Sequence, residues 1–207
     1  DLIIYYAPKF TTQPVAASVN EGDAVNLTVV AESLDSKGTT STYTWYKDKQ
    51  TVKDGDGVSG SRSAGLSISS ANAGSYGTYY CIIKNGVGSV KSKTAKVSVL
   101  LKPYSTKELK TLSLVEGKTA TFSASIQGGK PITFKWQKDG GDISGETKNK
   151  LSRRGVKVSD AGTYSIIATN AAGSLTLSAE LTVAAKATDA IAGGRIALDE
   201  ASRLSAV

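Results

Sequence analysis

A stretch in the first half of the chain, Gly77-Thr78-Tyr79-Tyr80-Cys81-Ile82-Ile83-Lys84-Asn85-Gly86-Val87-Gly88, aligns without a gap on Gly162-Thr163-Tyr164-Ser165-Ile166-Ile167-Ala168-Thr169-Asn170-Ala171-Ala172-Gly173 in the second. Such a repeat divides the 207 residues between two copies of one small domain. Each copy reads as a strand, a tight turn at Asn-x-x-Gly and a returning strand, over 89–100 in one and 174–183 in the other. The repeat extends upstream. Val19-Asn20-Glu21-Gly22 leads into Val25, Leu27, Val29 and Ala31, and Leu114-Val115-Glu116-Gly117 leads into Ala120, Phe122, Ala124 and Ile126. The period of two marks a strand with one buried face. Tyr43–Asp48 and Phe134–Asp139 follow as a further pair of strands, and each turns one of the two tryptophans, Trp45 and Trp136, inward. Pro8 and Pro103 stand equally far before Gly22 and Gly117, which places a junction near 101–103. The expected division is an N-terminal strand or linker over 1–7, domains over 8–101 and 102–185, and an Ala-rich C-terminal tail or short helix over 186–207.

Thr, Ser, Val, Tyr and Gly are plentiful and sustained helical periodicity is almost absent, so the predicted class is all-β with many short strands. Hydrophobic residues make up 40% and charged residues 21%, a balance that buries a core rather than leaving a disordered chain. These motifs resemble the immunoglobulin superfamily, and specifically its intermediate or I-set type, over nearly all of 7–184. The resemblance implies two tandem Greek-key β-sandwiches. It assigns Trp45 and Trp136 to the inward tryptophan of strand C, and Tyr79 and Tyr164 to the tyrosine corner before strand F's cysteine. Asp160-Ala161-Gly162-Thr163-Tyr164 keeps that corner's pattern, whereas Ser75 stands where the family prefers Asp.

The pattern departs from the family at the disulfide. Val29 and Ala124 occupy the strand B cysteine position, Ile166 replaces the strand F cysteine of the second domain, and only Cys81 survives. With one cysteine no internal bridge can form, and apolar packing has to replace a crosslink worth roughly 2 to 5 kcal/mol. Such a chain is compatible with a reducing cytoplasm during synthesis. Cys81, opposite Val29, is expected to be a buried apolar residue rather than a reactive thiol. The structural core is therefore expected to be Trp45, Trp136, Tyr79, Tyr164, Val29, Cys81, Ala124 and Ile166.

Chemistry is largely excluded by composition. The chain has no histidine, which removes the usual triads, imidazole metal sites and histidine proton transfer. Asp54-Gly55-Asp56-Gly57 faintly resembles the start of a calcium loop, but the later oxygen ligands and closing Glu do not follow, so a polar turn is expected. Lys138-Asp139-Gly140-Gly141-Asp142 reads as a hairpin connection rather than a phosphate loop. Carboxylates alone can run glycosidase chemistry, yet Asp54, Asp56, Asp139 and Asp142 lie in turns without visible convergence. No catalytic residue, metal or cofactor is expected. Asn26-Leu27-Thr28 fits a glycosylation sequon inside a strand, relevant only in a eukaryotic secretory route. Lys plus Arg exceed Asp plus Glu by 25 to 18, giving +7. That excess favours weak association with anionic cell-surface polysaccharide, with scattered lysines such as Lys91 read as solvated strand faces. Tyr5, Tyr6, Tyr46, Tyr76 and Tyr104 are the tyrosines considered for stacking against sugars. Nothing resembles a nucleic-acid reading platform, and no apolar run reaches membrane-spanning length.

The two ends lie outside the repeats. Leu2-Ile3-Ile4-Tyr5-Tyr6 is a β-prone run that wants a partner strand. Ala197, Ala201 and Leu204 share one helical face, with Asp199 and Arg203 spaced as an i,i+4 pair. Ile3, Ile4, Tyr5, Ile196, Leu198 and Leu204 are the expected assembly contacts. Phe10-Thr11-Thr12-Gln13-Pro14 with the motifs above looks like the disulfide-free repeats of tailed-phage virions and bacterial surface proteins. Cytoplasmic muscle proteins also carry disulfide-poor I-set repeats. The resemblance thus implies a non-catalytic structural or adhesion module of a virion, a capsid decoration or tail component whose partners are other structural proteins of the particle. A bacterial cell-surface repeat is the second choice and a eukaryotic I-set scaffold the third. Leu100-Leu101-Lys102-Pro103 lacks a Gly or Ser run, which predicts a semi-rigid connection.

Overall fold

The computed structural model describes residues 5–34 and 41–187. Their strands build two β-sandwiches. The first contains β1 (Tyr6–Thr12), β2 (Ala17–Asn20), β3 (Val25–Thr28), β4 (Val30–Leu34), β5 (Thr42–Lys47), β6 (Gln50–Thr51), β7 (Val58–Ser59), β8 (Gly65–Ile68), β9 (Gly77–Lys84), β10 (Ser89–Lys91) and β11 (Ala95–Leu100). One layer runs β2-β11-β9-β5-β6, with β10 also on β9; the other is β3-β8-β7, and β1 pairs with β4. The second sandwich contains β12 (Leu112–Val115), β13 (Ala120–Ser123), β14 (Thr133–Lys138), β15 (Gly141–Ile143), β16 (Lys150–Arg153), β17 (Gly162–Asn170) and β18 (Gly173–Ala184). Its layers are β12-β18-β17-β14-β15 and β13-β16. In both, the first strand of the larger sheet runs parallel to the last, Val97 beside Ala17 and Leu181 beside Leu112. The chain crosses between layers, from β8 to β9 in the first sandwich and from β16 to β17 in the second, as a Greek-key sandwich does.

Alternation puts the expected residues inside. Val25, Leu27, Val29, Trp45, Tyr79, Cys81 and Ile83 are buried in the first core, and Ala120, Phe122, Ala124, Trp136, Leu151, Tyr164 and Ile166 in the second. The first B-strand run breaks at Val29, because β3 pairs with β8 while β4 turns to β1. Both tryptophans satisfy their indole N–H in the same way: Trp45 Nε1 donates to the Ser63 carbonyl at 2.9 Å and Trp136 Nε1 to the Lys148 carbonyl at 2.8 Å. A buried indole without such a partner would lose part of its packing gain to desolvation. Phe122 fills further volume in the second core, stacked 4.9 Å from Tyr164 and tilted 6.1 Å from Trp136.

The tyrosine corners close on backbone. Tyr79 donates its hydroxyl to the Ser75 carbonyl at 3.0 Å, and Tyr164 donates to the Asp160 carbonyl at 2.9 Å. Ser75 substitutes for Asp without loss because its own hydroxyl accepts from the Asn72 amide, as the Asp160 carboxylate accepts from Lys157. The repeated asparagines also act alike. Asn85 Oδ1 accepts from the amides of Val87 and Gly88 while its Nδ2 donates to the Tyr6 carbonyl; Asn170 accepts from Ala172 and Gly173 and donates to the Leu101 carbonyl. One side chain thus shapes each turn and ties down the chain entering that sandwich. Because β1 starts at Tyr6, that strand straddles the expected boundary between 7 and 8. Of the expected assembly contacts, Tyr5 is exposed at the surface; Ile3, Ile4, Ile196, Leu198, Leu204 and the C-terminal helix or tail lie outside the described residues.

Candidate binding face

Three of the four carboxylates considered for chemistry, Asp54, Asp139 and Asp142, are spent on structure. Asp54 Oδ1 accepts from the Ser61 amide at 2.8 Å. Asp139 accepts from the Thr163 amide at 2.8 Å and from Lys138 Nζ at 2.8 Å. The Lys138 hydrogen bond, followed by that amide, holds the Asp139 carboxyl below its ordinary range. Asp142 is lowered by Lys135, 2.7 Å away, and by Gln137. Among the described residues no group of His, Cys, Asp and Glu could hold a metal ion, and no helix is long and apolar enough to cross a membrane. Cys81 is buried, and burial pushes its thiol up to about 11.

A less ordinary arrangement lies on the outer face of the larger sheet of the first sandwich. Period-two alternation that buries Trp45 and Cys81 sends Tyr46 and Tyr80 outward, and the register sets them directly opposite each other. Their rings stack, centroids 5.0 Å apart and 5° from parallel. On the far side of β9, Lys91 places its Nζ 3.9 Å from the Tyr80 ring centroid. Ile82 sits beside this column, opposite Lys91 on β10 and Thr44 on β5. Arg62 reaches over to donate to Thr44 Oγ1 at 2.7 Å. Lys84 and Lys96 occupy outward positions on the same face, opposite Thr42 and Thr78. The described residues contain the ion pairs Lys135–Asp142 and Lys138–Asp139, both in the second sandwich; among the described residues the cations of this face form no ion pair with a carboxylate.

The equivalent face of the second sandwich is built differently on the same scaffold. Gln137 stands for Tyr46, Ser165 for Tyr80, Thr176 for Lys91 and Glu180 for Lys96. Its side chains satisfy one another: Ser165 with Ser178 at 2.8 Å, Thr169 with Ser174 at 2.8 Å, Gln137 with Asp142 at 2.9 Å. The fold therefore does not require an aromatic and cationic surface here. Tyr46 was singled out from sequence only as one scattered tyrosine and Lys91 as a solvated charge, while Tyr80 was not singled out for function. The alternation was readable, but the cross-strand register that joins the three was not.

Known families match both halves of the chain: the immunoglobulin domain model over residues 7–85 and the immunoglobulin I-set domain model over 103–183. The chain belongs to the immunoglobulin superfamily. It is similar to leucine-rich repeats and immunoglobulin-like domains protein 3 of Homo sapiens, 29% identical over 197 residues, which is 85% of this chain and 17% of that protein. It is also similar to Roundabout homolog 1 of Rattus norvegicus, 32% identical over 147 residues, 69% of this chain and 9% of that protein. The chain thus spans less than a fifth of these relatives. Among solved structures, the two immunoglobulin domains of DIP-gamma superpose with a TM-score of 0.69 at 16% identity, covering 86% of this chain and 97% of that one, which supports the fold alone.

These matches correct the expectation of a virion. The two sequence relatives named above come from mammals, and neither joins the chain to a phage particle, its structural proteins or a bacterial surface. The physical reason is that the residues behind that expectation are the ones the sandwich needs. An inward tryptophan, a tyrosine corner and apolar filling at the lost bridge are packing solutions open to any immunoglobulin domain, so they carry no record of lineage.

Proposed function

We propose that this chain is a non-catalytic, adhesion-type recognition segment: two immunoglobulin domains over 8–101 and 102–185, with recognition concentrated on the outer face of β5, β9 and β10. The observation that carries this reading is the contrast between the two equivalent faces. Where the second domain closes its surface with mutual hydrogen bonds, the first presents a stacked tyrosine pair, Ile82 and cations without carboxylate partners. Half-buried aromatics ringed by polar and charged groups are the usual composition of a protein-binding patch. Asp54, Asp139 and Asp142, which could have supported hydrolysis, are engaged by backbone amides and lysines instead.

A random peptide library selected on the intact chain tests this. Binders are expected to lose at least about tenfold in affinity, or about 1.4 kcal/mol, when the first domain receives its neighbour's residues: Tyr46→Gln, Tyr80→Ser and Lys91→Thr. Binders that hold equally well to the folded variant would place recognition elsewhere.

A further inference from the structure

We infer that the outer face of β5, β9 and β10 docks the acidic surface of another protein, an inference that rests on the recognition role just proposed. Its centre and its rim have different chemistry. Tyr46, Tyr80 and Ile82 are half-buried and supply contact area from side chains with few rotatable bonds, so little entropy is lost when a partner covers them. Around them stand Arg62, Lys84, Lys91 and Lys96, all exposed. Asp48 lies at the edge of this face, but its carboxylate is engaged by the Thr78 amide at 2.9 Å. A partner bringing carboxylates to the rim would pair with cations that no carboxylate among the described residues meets.

Other occupants fit less well. Sugars bind aromatic residues by lying on a bare ring face. Tyr80 has none to offer, since Tyr46 covers one side and Lys91, from the strand on the other flank of β9, covers the opposite side. A second copy of this chain pairing face to face about a two-fold axis would set like cations against each other, and the chain already carries +7. The second domain's equivalent face, with Glu180 where Lys96 stands and Asp142 paired to Lys135, is not electropositive in this way.

The test uses the intact, isotopically labelled chain and three probes: a peptide of repeating Glu-Leu-Glu-Tyr, the same peptide with Gln for Glu, and a heparin oligosaccharide. The Glu peptide is expected to shift backbone amide signals of β5, β9 and β10. Its binding should weaken at least about tenfold in the Tyr46→Gln, Tyr80→Ser, Lys91→Thr variant, whose spectrum outside the face reports that it remains folded. Raising the salt should weaken it severalfold, because exposed charges are screened, and the Gln peptide should bind poorly. If heparin shifts this face and the Glu peptide does not, the face stands and the acidic protein partner is wrong. If the Glu peptide shifts a different surface, the recognition face itself is wrong. If no probe binds, or the Gln peptide binds as well as the Glu peptide, the inference is overturned.

Discussion

Trp45 and Trp136 show how much a single residue type can reveal when a repeat brackets it. Both are fully buried and both donate to a backbone carbonyl beyond the sheet, so each removal leaves a large void and an unmatched acceptor. Trp45→Ala and Trp136→Ala should each cost about 3 to 5 kcal/mol, measured by denaturant unfolding. Cys81 makes a different prediction. Its thiol is raised from 9.0 to about 11 by burial, so the folded state resists ionisation that the unfolded chain undergoes readily. The stabilisation is complete below about pH 9 and is lost as pH climbs toward 11. Burial also raises Tyr79 and Tyr164, which add to the same alkaline loss. Unfolding measured across this window should show a falling stability, smaller in Cys81→Ala, and thiol reagents should label Cys81 only on unfolding. At this scale the core was legible, because inward positions follow from alternation. The Tyr46–Tyr80–Lys91 column was not, since it depends on which outward residues face each other across strands.

Among the elements, the turn from β5 to β6 and its counterpart from β14 to β15 show two distant segments fixed by one close approach. Asp48 and Asp139 accept from the amides of Thr78 and Thr163, the second residues of β9 and β17. A Cβ on Gly77 would meet Asp48 Oδ2 at 2.5 Å, and one on Gly162, at φ +147°, would meet Asp139 Oδ1 at 2.6 Å. Glycine is favoured at both positions by its positive φ, +157° at Gly77 and +147° at Gly162, and further by the carboxylate pressed against it. Gly162→Ala should therefore destabilise the second domain by about 1 to 3 kcal/mol. Combined with Asp139→Ala, the loss should be less than the sum of the two single changes, a coupling that a double-mutant cycle measures. Since the Asp139 carboxyl is held below its ordinary range by Lys138 and the Thr163 amide, its contribution is present at neutral pH and lost as pH falls through the acid range. Asp139→Asn should flatten that part of the acid limb. Strand existence and turn chemistry could be read from spacing and residue type. Strand partnership could not: nothing in the period of β2 says that it runs parallel to β11, or that β3 and β4 split between two neighbours.

For the molecule as a whole, the repeat supplies its own control. Two immunoglobulin domains share core, corners and turns, yet one outer face is a closed polar mesh and the other an aromatic and cationic platform. Features shared by both domains answer to folding; features confined to one are free to answer to a partner. The same distinction explains why the virion expectation failed, because, Phe10–Pro14 apart, it was drawn from the shared, fold-required residues. It also fixes what the platform must not do, which is hold the first domain together. Stacking between two tyrosines is worth about 0.5 to 1.5 kcal/mol beyond area burial, well below the loss of a core tryptophan. The decisive measurement is thermal unfolding of the intact chain carrying Tyr46→Gln, Tyr80→Ser and Lys91→Thr. Each domain can be followed through its single indole N–H signal, from Trp45 or Trp136. The first domain is expected to stay folded at 25 °C and to melt lower by no more than about 10 °C, with about 1 kcal/mol lost, while the second is unchanged. A first domain already unfolded at 25 °C would show that the platform is part of the core's support, and would contradict its assignment to recognition.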